Sequence, residues 1–189
     1  MRTRRPKPPP VTYLIDTNEQ LPYVFDGEQV EHVPLFPWSS ELARMASVPG
    51  DPNVRDGDYT ARGIENYVRI ERKEMADYVR CVGTDRDRFQ AELERMAAYP
   101  FAFLLLEFSI EKLALGCYES RVKPKSAVGS ALAWEQDLGI RVVWAGDRLH
   151  AQTWALRTLE RMHRKRWLEE AGLWRRRERS AGGLVPYAT

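Results

Sequence analysis

Residues 67–73 read YVRIERK, and their alternation decides the fold. Side chains two apart in a strand point the same way. Val68 and Ile70 therefore fall on one face, and Arg69, Glu71 and Lys73 on the other. Arg72 points away from Glu71 and Lys73. The stretch GDYT at 57–60 comes first, with a turn at ARGIEN (61–66) between, so the two arms read as a hairpin. Asp58 on the first arm can lie across from Glu71 on the second.

Working outward, VTYLID (11–16) is a short apolar run ending in an acid, as a buried strand would, and Glu19 follows shortly after. VEHVPLF (30–36) reads as a second strand ended by its prolines. SSELARMAS (39–47) reads as a helix capped by Ser39 or Ser40, and VPGDPNVRDG (48–57) as a loop. Residues 75–82 are helical in character. Thr84, with Asp87 three positions on, reads as the N-cap of DRDRFQAELERMAAY (85–99), which Pro100 ends. FAFLLLEF (101–108) has no polar break before Glu107, the signature of a central strand covered on both sides. Then follow a short helix IEKLALG (110–116), a basic loop ESRVKPKS (119–126), a helix AVGSALAWEQDLG (127–139) closed by Gly139, a strand IRVVWAG (140–146) and a long amphipathic helix from Arg148. This order predicts an α/β fold, a mixed central sheet flanked by helices.

Composition excludes several classes. No run of about 18 apolar residues predicts a transmembrane helix, and MRTRRPKPPP at 1–10 lacks the apolar segment of a secretory signal. Cys81 and Cys117 form no CxxC pair, which argues against a disulfide framework or a zinc site and for a reducing, cytoplasmic setting. His32, His150 and His163 are scattered. Without a Gly-rich phosphate loop, no nucleotide cofactor is expected. The net charge of +2 conceals +4 in 1–10, −7 in 11–156 and +5 in 157–189. Basic ends on an acidic body suit a polyanionic partner, though the same pattern serves solubility. Three parts are expected: a disordered basic, Pro-rich tail (1–10), one folded domain (11–160) and a basic C-terminal helix and tail (161–189). Trp167, Leu168, Ala171 and Trp174 make an apolar stripe in the last part, suited to packing within the chain or between copies.

A carboxylate and an ammonium side by side at a strand end can hold a divalent cation and orient an attacking water. Glu71 and Asp58, with a few waters, suit Mg²⁺. Spacing alone leaves open a solvated hairpin face.

The stretch 14–107 resembles the nuclease domain of the XPF family of structure-selective endonucleases, within the PD-(D/E)XK superfamily. The hallmark is a GD pair followed by ERK, three residues and Asp: here Gly57-Asp58, Glu71-Arg72-Lys73 and Asp77. The family's first strand ends in Asp, any residue, Arg, Glu; IDTNE matches at Asp16 and Glu19, with Asn18 in place of Arg. A later helix carries Arg and, four residues on, Gln; Arg88 matches and Glu92 replaces Gln. Glu107 closes the family's apolar strand.

The resemblance implies a restriction-endonuclease-like core and a Mg²⁺- or Mn²⁺-dependent DNA endonuclease. In it Asp58 and Glu71, with the main-chain carbonyl of Arg72, bind the metal, and Lys73 is the catalytic base or water-positioning group. Asp16, Glu19 and Asp77 complete the acidic cluster, and Arg72, Arg88, Glu92 and Glu107 support it. Arg121, Lys123, Lys125, Arg164, Lys165 and Arg166 are candidate DNA contacts. Branched DNA is the implied substrate, in repair or recombination, with a homodimer or a partner subunit, in a cytoplasmic or nucleoid-associated setting. The family's helix-hairpin-helix and helicase domains find no counterpart here, so a free-standing nuclease domain is expected. Two alternatives stay open: a superfamily nuclease indifferent to branching, and a non-catalytic DNA-binding or scaffolding subunit.

Overall fold

The computed structural model describes residues 7–37 and 55–173. Six strands form one mixed sheet: β1 (Thr12–Asp16), β2 (Gln29–Val33), β3 (Tyr59–Ala61), β4 (Val68–Lys73), β5 (Phe101–Leu106) and β6 (Arg141–Trp144). They lie in the order β2-β1-β3-β4-β5-β6. β3 runs antiparallel to β1 and β4, and Tyr59 pairs with Ile70 as the hairpin requires. β2 is parallel to β1, and β4, β5 and β6 are parallel to one another. β5 lies inside the sheet, which accounts for its unbroken apolar run.

Among the described residues the helices are α1 (Met75–Val82), α2 (Arg86–Met96), α3 (Ile110–Ala114), α4 (Pro124–Leu138) and α5 (Arg148–Glu170). They divide the core in two. Val68 and Ile70 of β4 join Tyr59, Phe103 and Leu105 against Ala151, Ala155 and Leu159 of α5. On the other face Leu104 and Leu106 of β5 pack with Tyr78 of α1, Phe89, Leu93 and Met96 of α2, and Ala131 and Trp134 of α4. Phe89 meets the Trp134 ring edge-on at 5.2 Å, which fixes α2 against α4. The period-2 alternation of β4 therefore sends Glu71 and Lys73 toward α2 and Arg72 toward α5.

Three sequence expectations need correction. Thr84 is not the cap of α2: Asp85 precedes the helix, and Thr84 Oγ1 donates to Asp85 Oδ1 at 3.1 Å instead. The helix also stops at Met96, before Pro100, in a turn where Tyr99 N–H bonds Met96 O at 3.0 Å. α4 starts at Pro124, earlier than the apolar pattern indicates, because proline's missing N–H costs nothing in a first helical turn. α5 runs unbroken past residue 160 to Glu170. The proposed helix at 39–47, most of the loop at 48–57, residues 1–6 of the basic tail and the chain from Trp174 onward lie outside the described residues. Among the described residues no helix is long and apolar enough to cross a membrane.

Candidate active site

The site is assembled where β4 ends. Lys73 Nζ makes a direct ion pair with Glu71 and lies 5.0 Å from the centroid of the Phe89 ring. Both side chains are largely withdrawn from solvent, Glu71 at 3% exposure and Lys73 at 15%. Gly57 explains how Asp58 reaches them. Its φ is +75°, and a Cβ there would stand 3.1 Å from the Ile70 carbonyl oxygen. Only glycine permits that conformation and approach without strain. The next amide, Asp58 N–H, donates to Ile70 O at 2.8 Å, and Asp58 Oδ2 accepts from Arg72 N–H at 2.7 Å. Asp58 is thus tied to the strand that carries Glu71 and Lys73. From α2 comes Glu92, 13% exposed, with Arg88 at 3.7 Å and close enough to Glu71 for the two carboxyl groups to act on each other.

Crowding of carboxylates shifts their titration. Burial, then the charge of Glu71, holds the Asp58 carboxyl well above the usual carboxylate range. The same two causes push Glu92 up to about 8. Burial alone would lower the Lys73 pKa, but Glu71 and Asp58 outweigh it and raise it, so Lys73 remains an ammonium.

The other expected acids have partners of their own, though the Asp16 N–H bonds Asp58 O at 2.9 Å and the charge of Glu19 also raises Asp58. Arg72, on the α5 side of the sheet, places its Nε and one terminal nitrogen each 3.0 Å from the Glu19 carboxylate and its other terminal nitrogen 3.3 Å from Glu107. Glu107 in turn accepts from Arg148 at 3.0 Å, and Arg148 donates to the carbonyls of Leu21 and Pro22 at 2.7 and 3.0 Å. Asp16 accepts from the amides of Asn18 and Leu35 at 2.7 and 2.6 Å, with Arg55 at 3.4 Å. Asp77 faces outward and pairs with Arg80 at 2.5 Å. The segment after β1 passes on the α5 side, where Tyr23 and Phe25 join that core, and it gives the Glu19 side chain Arg72 as its partner, still near enough to raise the Asp58 carboxyl.

Sequence reasoning missed a second ion pair. Asp56, fully buried, bonds Arg95 Nε at 2.8 Å and Tyr99 Oη at 3.3 Å. Arg69 lies over the Tyr99 ring at 5.1 Å. One available signal was the position of Arg95 between Leu93 and Met96, inside the apolar stripe of α2.

The candidate DNA contacts disperse. Arg121 and Lys125 are exposed around the start of α4, and Lys123 caps that helix. Arg121 borders a groove of about 1010 Å³, walled by Met75, Val79, Tyr118 and Val122, that begins at Glu74, the residue after Lys73. Arg164 is exposed on α5. Lys165 pairs with Glu169 and bonds Tyr67 Oη, and Arg166 pairs with Glu170, so both are engaged within the chain.

A divalent cation suits the donor set around Lys73. Two carboxylates, Asp58 and Glu71, repel each other in a largely buried place with one ammonium to offset them. Among the described residues no three histidine, cysteine or acidic side chains converge at metal-binding geometry. Water or main-chain oxygen would have to fill the remaining positions, as Mg²⁺ commonly accepts.

No family model matches the chain, and no curated protein sequence does. Among solved structures it is similar to XPF from Aeropyrum pernix, at 21% identity and a TM-score of 0.52, over 86% of this chain and 69% of that one. It is likewise similar to XPF from Aeropyrum pernix in complex with DNA, at 20% identity and a TM-score of 0.51, over 87% of this chain and 66% of that one. The chain thus spans about two thirds of the length of each. With its six-stranded mixed sheet and flanking helices, it has an XPF-type nuclease fold.

Proposed function

We propose that this protein is a Mg²⁺- or Mn²⁺-dependent DNA endonuclease acting on branched DNA. The observation that carries the reading is the buried group of Asp58, Glu71 and Lys73 at the end of β4, on this fold. The DNA-bound neighbour supports a nucleic-acid substrate. Branch preference rests on the sequence resemblance.

Asp58 and Glu71 would hold the cation, which supplies Lewis-acid polarisation of the phosphodiester and an activated water. The Arg72 amide keeps the Asp58 carboxylate aimed, whatever the Arg72 side chain does on the other face. Lys73, kept as an ammonium, suits orienting the attacking water and offsetting phosphate charge better than it suits accepting a proton.

The test uses end-labelled forks, flaps, duplexes and single strands, with Mg²⁺, Mn²⁺ or EDTA, beside Lys73→Ala and Asp58→Asn. Metal-dependent cutting that favours branched substrates and is lost in both variants is the expected result. Equal cutting of every substrate would leave an unselective nuclease. DNA binding without cutting, the same in wild type and variants, would overturn the catalytic reading in favour of a scaffolding subunit.

A further inference from the structure

The groove that begins beside Lys73 has no part in the chemistry described so far. It runs from Glu74 along α1 to Gly83, and residues 117–122, between α3 and α4, form its opposite wall. Its volume of about 1010 Å³ is at the upper end for sites that hold small molecules. That opposite wall is fixed in place. Tyr118 Oη donates to Val122 O at 2.9 Å, and Val122 N–H to Ser120 Oγ at 3.2 Å. A Cβ at Gly83 would stand 3.1 Å from Val122 Cγ2, so the wall rests directly on the end of α1 and the groove is preformed. Met75, Tyr118 and Val122 give it apolar surface, with a polarisable thioether and an aromatic ring among them. Arg80 also lines it but is held by Asp77 and Asp85. Arg121 is exposed and has no ion-pair partner among the described residues, and the same holds for Lys123 and Lys125 just beyond it. Glu74 and Glu119 are the acids that line the groove. Residues 119–125 still set three cations against one acid, a net +2.

We propose that this groove receives an unpaired strand of the DNA substrate, its bases against Met75 and Tyr118 and its phosphates along the stretch from Arg121 to Lys125. A duplex stacks its bases inside and offers phosphates and groove edges, which leaves the apolar wall without a partner. An unpaired strand offers base faces as well, and these stack on aromatic side chains while a basic track follows the backbone. The proposal rests on the nuclease reading above and gives branch preference a physical source: only a substrate with unpaired nucleotides beside the cut fills the groove.

Cys117 supplies a reporter in the unaltered protein. It lines the groove and is exposed, whereas Cys81 is buried, so an alkylating reagent reads Cys117. In EDTA, where nothing is cut, a short oligothymidylate is expected to protect Cys117 from alkylation. A blunt duplex hairpin and an abasic strand of the same length should protect it far less. Titrating the oligothymidylate gives affinities for variants. Tyr118→Leu is expected to weaken binding by about 5- to 150-fold, the scale of one lost base–aromatic stack, and Tyr118→Phe to retain it. Arg121→Ser, an exposed change that folding tolerates, should reduce the slope of log affinity against log salt by about 0.7, one phosphate contact on a single strand. Equal protection by duplex, abasic and intact single strands overturns the proposal, as does wild-type binding by Tyr118→Leu. So does a Tyr118→Phe protein as weak as Tyr118→Leu, because the hydroxyl bond to Val122 would then be the whole role of Tyr118. If wild type cuts no DNA in Mg²⁺ while the protection holds, the nuclease reading fails and the groove remains a single-strand site. If it cuts forks and the oligothymidylate gives no protection, the groove assignment fails and the nuclease reading stands.

Discussion

Asp56 and Arg95, 39 positions apart in sequence, form a buried ion pair at 2.8 Å that ties the approach to β3 onto α2. The same pair brings the strand bearing Asp58 and the helix bearing Glu92 into one frame. Removing one partner leaves the other buried and uncompensated. Asp56→Ala and Arg95→Ala are each expected to destabilise by about 3–5 kcal/mol, measured by denaturant unfolding. An apolar pair at the two positions should recover much of that loss. A single substitution that costs nothing would show the pair to be incidental.

Gly57→Ala should be harmful out of proportion to one methyl group. The positive φ and the 3.1 Å approach to the Ile70 oxygen both oppose a Cβ. A cost of about 1–3 kcal/mol is expected, with a larger relative loss of metal-dependent cutting, because Asp58 is the next residue. Thermal unfolding beside a cleavage assay separates the two effects.

The raised Glu92 and Asp58 values give stability a sign with pH. A carboxyl whose folded pKa is raised binds more protons when folded than when unfolded, between its usual value and its raised one. For Glu92 that window runs from about 4.5 to about 8. Its contribution is fully present below the window and is lost as pH rises through it. In EDTA, the Tm of wild type relative to Glu92→Gln should therefore fall from pH 5 to pH 8. Added Mg²⁺ should raise Tm more at pH 8 than at pH 5, where protons compete for the same oxygens.

Two aspartates that look alike in sequence should behave oppositely. Asp16 satisfies two main-chain amides, so Asp16→Ala orphans them at about 1–3 kcal/mol each. Asp58 is repelled by Glu71, so Asp58→Asn should raise the metal-free Tm while abolishing cutting. Equal Tm shifts of the same sign would contradict this division of roles.

Local periodicity made the centre of the fold legible. The alternation of Val68, Ile70, Glu71 and Lys73 is a property of six consecutive residues, and so is the apolar run of β5. What the sequence hid was which face of the sheet each loop acid would take. Glu19 reads as a companion of Asp58 and does act on it, but the segment after β1 gives it Arg72 as its ion-pair partner. Glu92 reads as a supporting residue in place of the family's Gln, and with Phe89 packed on Trp134 its charge reaches both Glu71 and Lys73. Asp56 was lost among the loop residues, because a partner 39 positions away leaves no periodic trace.

The ladder Glu19–Arg72–Glu107–Arg148 alternates in sign and sums to zero. A chain of cancelling charges leaves no net charge on that side, yet Glu19 still raises the Asp58 carboxyl and Asp58 still acts on Arg72. A substitution in the ladder is therefore felt in the cleft on the α2 side as well as in its own salt bridges.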